Sequence, residues 1–185
     1  DPSYSTAIKT DASVIINSGT FNLNLASTAS GGKGISADQN ITINGGTINI
    51  ITAGSGTTYT NTSGVLDSYS AAAITADLNL EITGGSITTT SSGSGGKGLK
   101  ADGTVTIGTT TGSPTLNITT TGARFLVSGT DYSHPKTLVA AGAISIVNGN
   151  NTFNSTDDGI HSEASVTISG GTNTVGAISA SSGVG

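Results

Sequence analysis

Lys33-Gly34-Ile35-Ser36-Ala37-Asp38, followed by Ile41-Thr42-Ile43-Asn44-Gly45-Gly46-Thr47-Ile48-Asn49-Ile50, is the stretch that decides the fold. Counted from Ile35, its apolar residues Ile41, Ile43, Ile48 and Ile50 fall at offsets 6, 8, 13 and 15. The same offsets from Ile8 give Val14, Ile16, Phe21 and Leu23. From Ile74 they give Leu80, Ile82, Ile87 and Thr89, and from Ile160 they give Val166, Ile168, Asn173 and Val175. Segments starting at Leu99 and Leu138 keep the first pair, Val105 and Ile107, and Ile144 and Ile146. Their second pairs read as slipped, by insertions before Leu116 and Ile118 and before Phe153.

Apolar residues two apart mark strands with one buried face. Between the pairs lie turns such as Asn44-Gly45-Gly46-Thr47, Thr83-Gly84-Gly85-Ser86 and Ser169-Gly170-Gly171-Thr172. Glycine there permits a sharp corner at positive φ. Each segment therefore reads as strand, turn, strand, turn. The starts are 27, 39, 25, 39 and 22 residues apart, and the shorter periods fit one coil of a solenoid. The pattern predicts an all-β, single-stranded parallel β-helix of about six to seven coils over residues 1–185. A sandwich of hairpins is disfavoured, because sandwich strands do not repeat residue types at fixed offsets. No helix-period stretch separates the strands, which argues against a doubly wound α/β sheet.

Composition agrees and excludes other classes. The chain has 185 residues, 28 of them Gly, 26 Ser and 32 Thr, with no Cys, Met or Trp. Only 9% are charged, against a usual share of roughly 25%. Such a chain would suit disorder if its apolar residues were not periodic. Six basic against 11 acidic residues, with no basic run, argue against nucleic-acid binding. No apolar run reaches the length of a membrane-spanning helix. Outward Thr and Ser suit strand faces, and Asn stacks in register between coils.

Two stretches carry a family resemblance. They are Lys33 to Asp38 with Ile41 to Ile48, and Asp157-Asp158-Gly159-Ile160-His161-Ser162-Glu163 with Val166 to Thr172. Both resemble the bacterial secreted carbohydrate-binding domain-containing β-helix proteins, whose architecture is like that of pectate lyases. The resemblance covers nearly the whole chain. It implies a right-handed parallel β-helix that binds plant-type polysaccharide and calcium, without established catalysis.

The acidic residues fall into a column. Asp11, Asp38, Asp77, Asp102 and Glu163 all lie three residues after the first apolar position, where the Leu138 segment has Ala141. Stacked like charges repel unless they splay into water or are neutralised. Lys9 and Lys100 are placed to neutralise some of them, and Lys33 and Lys97 lie just before the first apolar position. Calcium is the sharper expectation, because it takes six to eight oxygens from carboxylates, carbonyls and Asn. Its expected ligands are Asp157 and Asp158, adjacent at a coil corner, with Glu163, Asp38, Asp77 and Asp102 along the column. A solvated Asx turn is the plainer reading of the same pair.

Insertions at 51–73 and 119–137 leave the same corner of the second and fourth coils. They hold Tyr59, Tyr69 and Tyr132, with Arg124, Phe125, Asp131 and His134. Sugar rings stack on aromatic faces, so these loops are expected to wall a polysaccharide groove over the third coil. Tyr59, Tyr69, Tyr132 and Arg124 are its expected contacts. The alternative role for the aromatics is to pin long loops to the solenoid.

No acid–base constellation is visible: Lys100, Arg124 and His161 are the only candidates for lyase chemistry, and nothing groups them. The expected function is non-catalytic polysaccharide binding outside the cell or at its surface. A self-assembling fibre is the competing reading. The repeat begins within eight residues of Asp1 and still runs at Ala177-Ile178-Ser179-Ala180, which suits a longer solenoid or coils stacked end to end between copies. No signal peptide opens the chain at Asp1-Pro2-Ser3, which reads as mature or trimmed.

Overall fold

A computed structural model describes residues 4–178 and shows a parallel β-helix. Each of six coils contributes one strand to each of three parallel six-stranded sheets. The first sheet holds Thr6–Thr10, Lys33–Ala37, Ala72–Ala76, Lys97–Ala101, Lys136–Ala140 and Asp158–Ser162. Three-residue strands make the second: Val14–Ile16, Ile41–Ile43, Leu80–Ile82, Val105–Ile107, Ile144–Ile146 and Val166–Ile168. The third holds Thr20–Leu25, Thr47–Thr52, Ser86–Ser91, Thr115–Thr120, Asn150–Ser155 and Thr172–Ala177. The expected continuation at Ser179-Ala180 lies outside the described residues.

The coil has one strand more than the apolar pairs suggest. Ile8, Ile35, Ile74, Leu99, Leu138 and Ile160 begin no pair, yet each is the inward residue of a first-sheet strand. They stack in direct register through all six coils. A second inward place on these strands holds Ala37, Ala76, Ala101 and Ala140, whose small side chains give a weak apolar signal. The second-sheet pairs stack likewise, and most of these residues are fully buried in one continuous core.

The fifth coil corrects one expectation. No residue is inserted before Phe153: Phe153 pairs with Ile118, and Asn151 pairs with Leu116 in the core row. Asn151 is buried, and its Nδ2 donates to Asn173 Oδ1 at 2.9 Å in the next coil. An amide pair thus takes the last two places of the row, and a polar residue in an apolar slot looks like a shift of register. The fourth coil does carry extra residues, between Ile107 and Thr115, including a turn closed by Thr109 N donating to Gly112 O.

The corner before the third sheet is fixed by backbone stacking. Gly46 and Gly85 have φ of 98° and 88°, and a Cβ on either would lie 2.8 Å from the carbonyl oxygen of the glycine one coil earlier. Outside, Asn44 Nδ2 donates to Asn17 Oδ1 at 2.8 Å and Asn49 Nδ2 to Asn22 Oδ1 at 2.9 Å. These side chains repeat the backbone register and tie neighbouring coils.

Two substitutions probe this core. Ile74→Asp should unfold the middle coils, because a buried carboxylate without a partner costs several kcal/mol; circular dichroism reads the loss. Among the described residues, Thr89 Oγ1 is buried without a hydrogen-bond partner, between Ile50 and Ile118. Thr89→Val should therefore raise Tm by about 2–4 °C, the effect of about 1 kcal/mol in a chain this long.

Candidate functional site: a basic cleft on the first sheet

Charge is sorted by sheet. All five lysines project from the first sheet, at only two offsets from its apolar row. Lys33, Lys97 and Lys136 precede the row by two residues, and Lys9 and Lys100 follow it by one, in register with His161. Direct stacking makes this possible. A position that faces outward in one coil faces outward in all.

The acidic column adjoins this face as expected, with Asp38, Asp77, Asp102 and Glu163 each donating the backbone N–H to the coil before. Lysines neutralise much of it. Lys9 Nζ lies 2.7 Å from Asp38 and 3.6 Å from Asp11, and Lys100 Nζ lies 2.7 Å from Asp102. Asp38 holds the Lys9 ammonium above its ordinary pKa by a side-chain hydrogen bond. Asp157 and Asp158 are also occupied: Asp157 meets His134 Nδ1 at 2.7 Å, and Asp158 meets Lys136 Nζ at 2.9 Å and His161 Nδ1 at 3.2 Å. Burial pushes the Asp158 carboxyl up, but Lys136 and the two histidines outweigh it and hold the pKa below the ordinary value. Among the described residues, no three of Asp, Glu and His converge on one point. The donor set therefore does not fit a calcium cage as it stands, and calcium at Asp157 and Asp158 would have to displace these contacts.

Both insertions fold into antiparallel hairpins. One pairs Thr57–Thr60 with Leu66–Tyr69, and the other pairs Phe125–Ser128 with Asp131–Ser133. They lean together instead of standing apart across the third coil. Ser70 Oγ and Ser133 Oγ are 3.0 Å apart, and the Phe125 ring packs where a Cβ on Gly56 or Gly95 would sit. Phe125 thus does pin its loop. Tyr69 also packs, against Tyr4 at 4.7 Å between ring centroids and against Tyr59 at 5.9 Å.

Under the hairpins lie two cavities that share Ser68, Lys97 and Ser133. The first, of about 320 Å³, is lined by Tyr4, Tyr69, Lys33, Lys97 and Lys100, and no carboxylate among the described residues lines it. The second, of about 310 Å³, holds Tyr132, His134, Lys136 and His161, together with Asp131 and Glu163. Of the four expected sugar contacts, Tyr69 and Tyr132 border these cavities. Tyr59 lies behind Tyr69, and Arg124 covers the Tyr132 ring at 4.3 Å. Tyr4 and the cleft lysines are additions to the expected set. The two lysine offsets were the sequence signal that marks them.

Lys97 is the group both cavities share. Its Nζ donates to Gly95 O at 2.9 Å and to His134 O, and approaches Ser133 Oγ at 3.5 Å. Burial, with Lys136 and Lys100 nearby, lowers its pKa from 10.5 to about 8. Burial and Lys100 lower that of Lys33 too.

A β-solenoid with an aromatic-rimmed, cationic cleft on one face has the build of a binding module for an extended ligand. Its sequence places it further: the model of the carbohydrate-binding domain-containing protein family matches residues 3–113 and again 93–182, and the chain belongs to that family. No curated protein and no solved structure matches the chain.

The lowered Lys97 pKa makes a prediction of definite sign. Between pH 8 and 10.5 the unfolded chain binds the proton that the folded chain has released, so stability rises with pH. From pH 7.5 to 9.5 Tm should rise by about 2–4 °C, and Lys97→Met should remove most of the rise.

Proposed function

We propose that this protein is an extracellular module that binds acidic polysaccharide along the outer face of its first sheet. One observation carries the reading: in a chain of net charge −5, every lysine projects from that one face, and three of them line a cleft that no carboxylate among the described residues enters. Such an arrangement is costly without a further anion, since burial penalises Lys33 and Lys97 and Lys100 repels both, and Asp102, 2.7 Å from Lys100, offsets this only in part. An anionic sugar polymer relieves that repulsion. Its carboxylates meet the ammonium groups, and its apolar ring faces meet Tyr4, Tyr69 and Tyr132. Family membership supports polysaccharide as the partner.

The shape supports a polymer over a small molecule. The two cavities adjoin, and lysines stand on coils one, two, four and five of the same face, so an extended chain of charged sugars meets cations at several points along it. Lysine suits this task, because a flexible point charge tolerates many sugar geometries. Calcium bridging between glycan and the acidic column is the competing mode for the same polymer, and a chelator separates the two.

Polygalacturonate retention, compared with an uncharged glucan, tests the reading. Lys33→Glu with Lys100→Glu should weaken polyuronate retention by about tenfold or more, on the order of 1.4 kcal/mol. Salt should weaken it too, while a chelator leaves it unchanged. Tyr59, Tyr69 and Tyr132 changed together to Ala should cost a similar factor with the coil intact, since none occupies a core row. Equal retention of both polymers by both variants would refute the cleft.

A further inference from the structure

We propose that Ser133, with Lys97 as its general base, cleaves short acyl esters carried by the glycan that the cleft holds. The choice of glycan as ester carrier rests on the binding function proposed above; the Ser–Lys pair itself does not.

The parts of an activated nucleophile are present. Ser133 Oγ lies 3.5 Å from Lys97 Nζ and 3.0 Å from Ser70 Oγ, and all three side chains line the same cavity. The base is itself oriented by a third group, as such pairs require. Two backbone carbonyls, Gly95 O and His134 O, take two N–H bonds of Lys97. A neutral amine has two N–H donors and one lone pair. With both donors spent on carbonyls, the lone pair is left for the Ser133 hydroxyl. Ser133 Oγ can then accept from Ser70, giving a relay from Ser70 through Ser133 to Lys97. A 3.5 Å separation is long, but catalytic hydrogen bonds are often loose before substrate binds.

The surroundings favour the neutral amine near pH 8. Burial, Lys136 and Lys100 lower the Lys97 pKa, while Asp157 and Asp158 act against them. Lys33 shares the first cavity, and Asp131, His134, His161 and Glu163 face the second. A lysine tuned to this range is the kind of base that acyl transfer uses.

The step balances without a cofactor. Ser133 Oγ attacks the ester carbonyl carbon while its proton passes to Lys97 Nζ. The C–O bond to the glycan breaks, and the departing alkoxide takes that proton. Water then attacks the acyl-serine and gives a proton to Lys97, which passes it to Ser133 Oγ as the acyl–Oγ bond breaks, releasing the carboxylic acid and restoring both side chains. Lys33 supplies positive charge on the same cavity wall for the oxyanion.

Three measurements on the full chain test this. A fluorophosphonate probe should label Ser133, located by mass spectrometry, and p-nitrophenyl acetate should be cleaved at a rate that rises with pH to a plateau, with a midpoint near pH 8. Ser133→Ala should abolish both while melting like the parent, and Lys97→Met should lower the rate by about 100-fold or more, the worth of a general base. Third, acetate should be released from chemically O-acetylated polygalacturonate. Labelling at another serine, a rate unaffected by Ser133→Ala, or a Lys97→Met profile equal to the parent's would overturn the pair. Cleavage of the small ester with no acetate released from the polymer would overturn the glycan as carrier.

Discussion

In a parallel coil every residue sits about 4.8 Å from its counterpart in the next turn. Everything else in this molecule follows from that spacing. A residue that suits the core must suit it six times over, which is why Ile, Leu and Val recur in unbroken rows on the first and second sheets. An outward residue must tolerate its own kind as a neighbour. Asn does so by pairing amide to amide, as at Asn17 and Asn44, and Thr by bonding to the Asn beside it, as Thr104 does with Asn79. Charge does so only with help. Lys9 and Lys100 therefore sit one outward column away from the acids, where pairs such as Lys9 with Asp38 offset repulsion.

The same spacing explains how so lightly charged a chain concentrates cations. Placing lysine at two offsets of one strand puts all five on one face. Loops then complete what stacking begins. Two hairpins from one corner meet at Ser70 and Ser133 and roof the lysines, so that Lys97 loses much of its water and its ordinary basicity. Neither the roof nor the cationic floor alone makes a site. Together they form a sheltered, electropositive trough bordered by tyrosine rings, suited to a ligand that is both anionic and flat-faced.

Most of the solenoid was legible in the sequence because its signal is repetition, and repetition survives local noise. The rows at offsets 6 and 8 read directly. The first-sheet strand did not, because Ile35 stands with Gly34, Ser36 and Ala37 and so lacks a second large apolar residue. Asn151 misled for a physical reason: amide ladders can replace a hydrophobic row, so polarity is no proof of exposure. The site was legible in part. Tyr69 and Tyr132 stand at the cleft, yet no sequence rule shows that Arg124 covers one face of Tyr132 or that two insertions whose starts lie 68 residues apart lean together. The lysine offsets were visible, but their meaning depends on the hairpins that roof them. Likewise the paired acids at Asp157 and Asp158 suggest a cation in the sequence, and in the fold Lys136 from a neighbouring strand and His134 from the second hairpin meet them.

The claim that the lysine face is the glycan-binding surface has a direct test. In a nuclear magnetic resonance titration with a short uronate oligosaccharide, the side-chain signals of Lys33, Lys97 and Lys100 and the ring signals of Tyr69 and Tyr132 should shift together and saturate together. The Thr and Asn signals of the third sheet should stay in place. Shifts confined to the third sheet, with the lysines silent, would contradict the account.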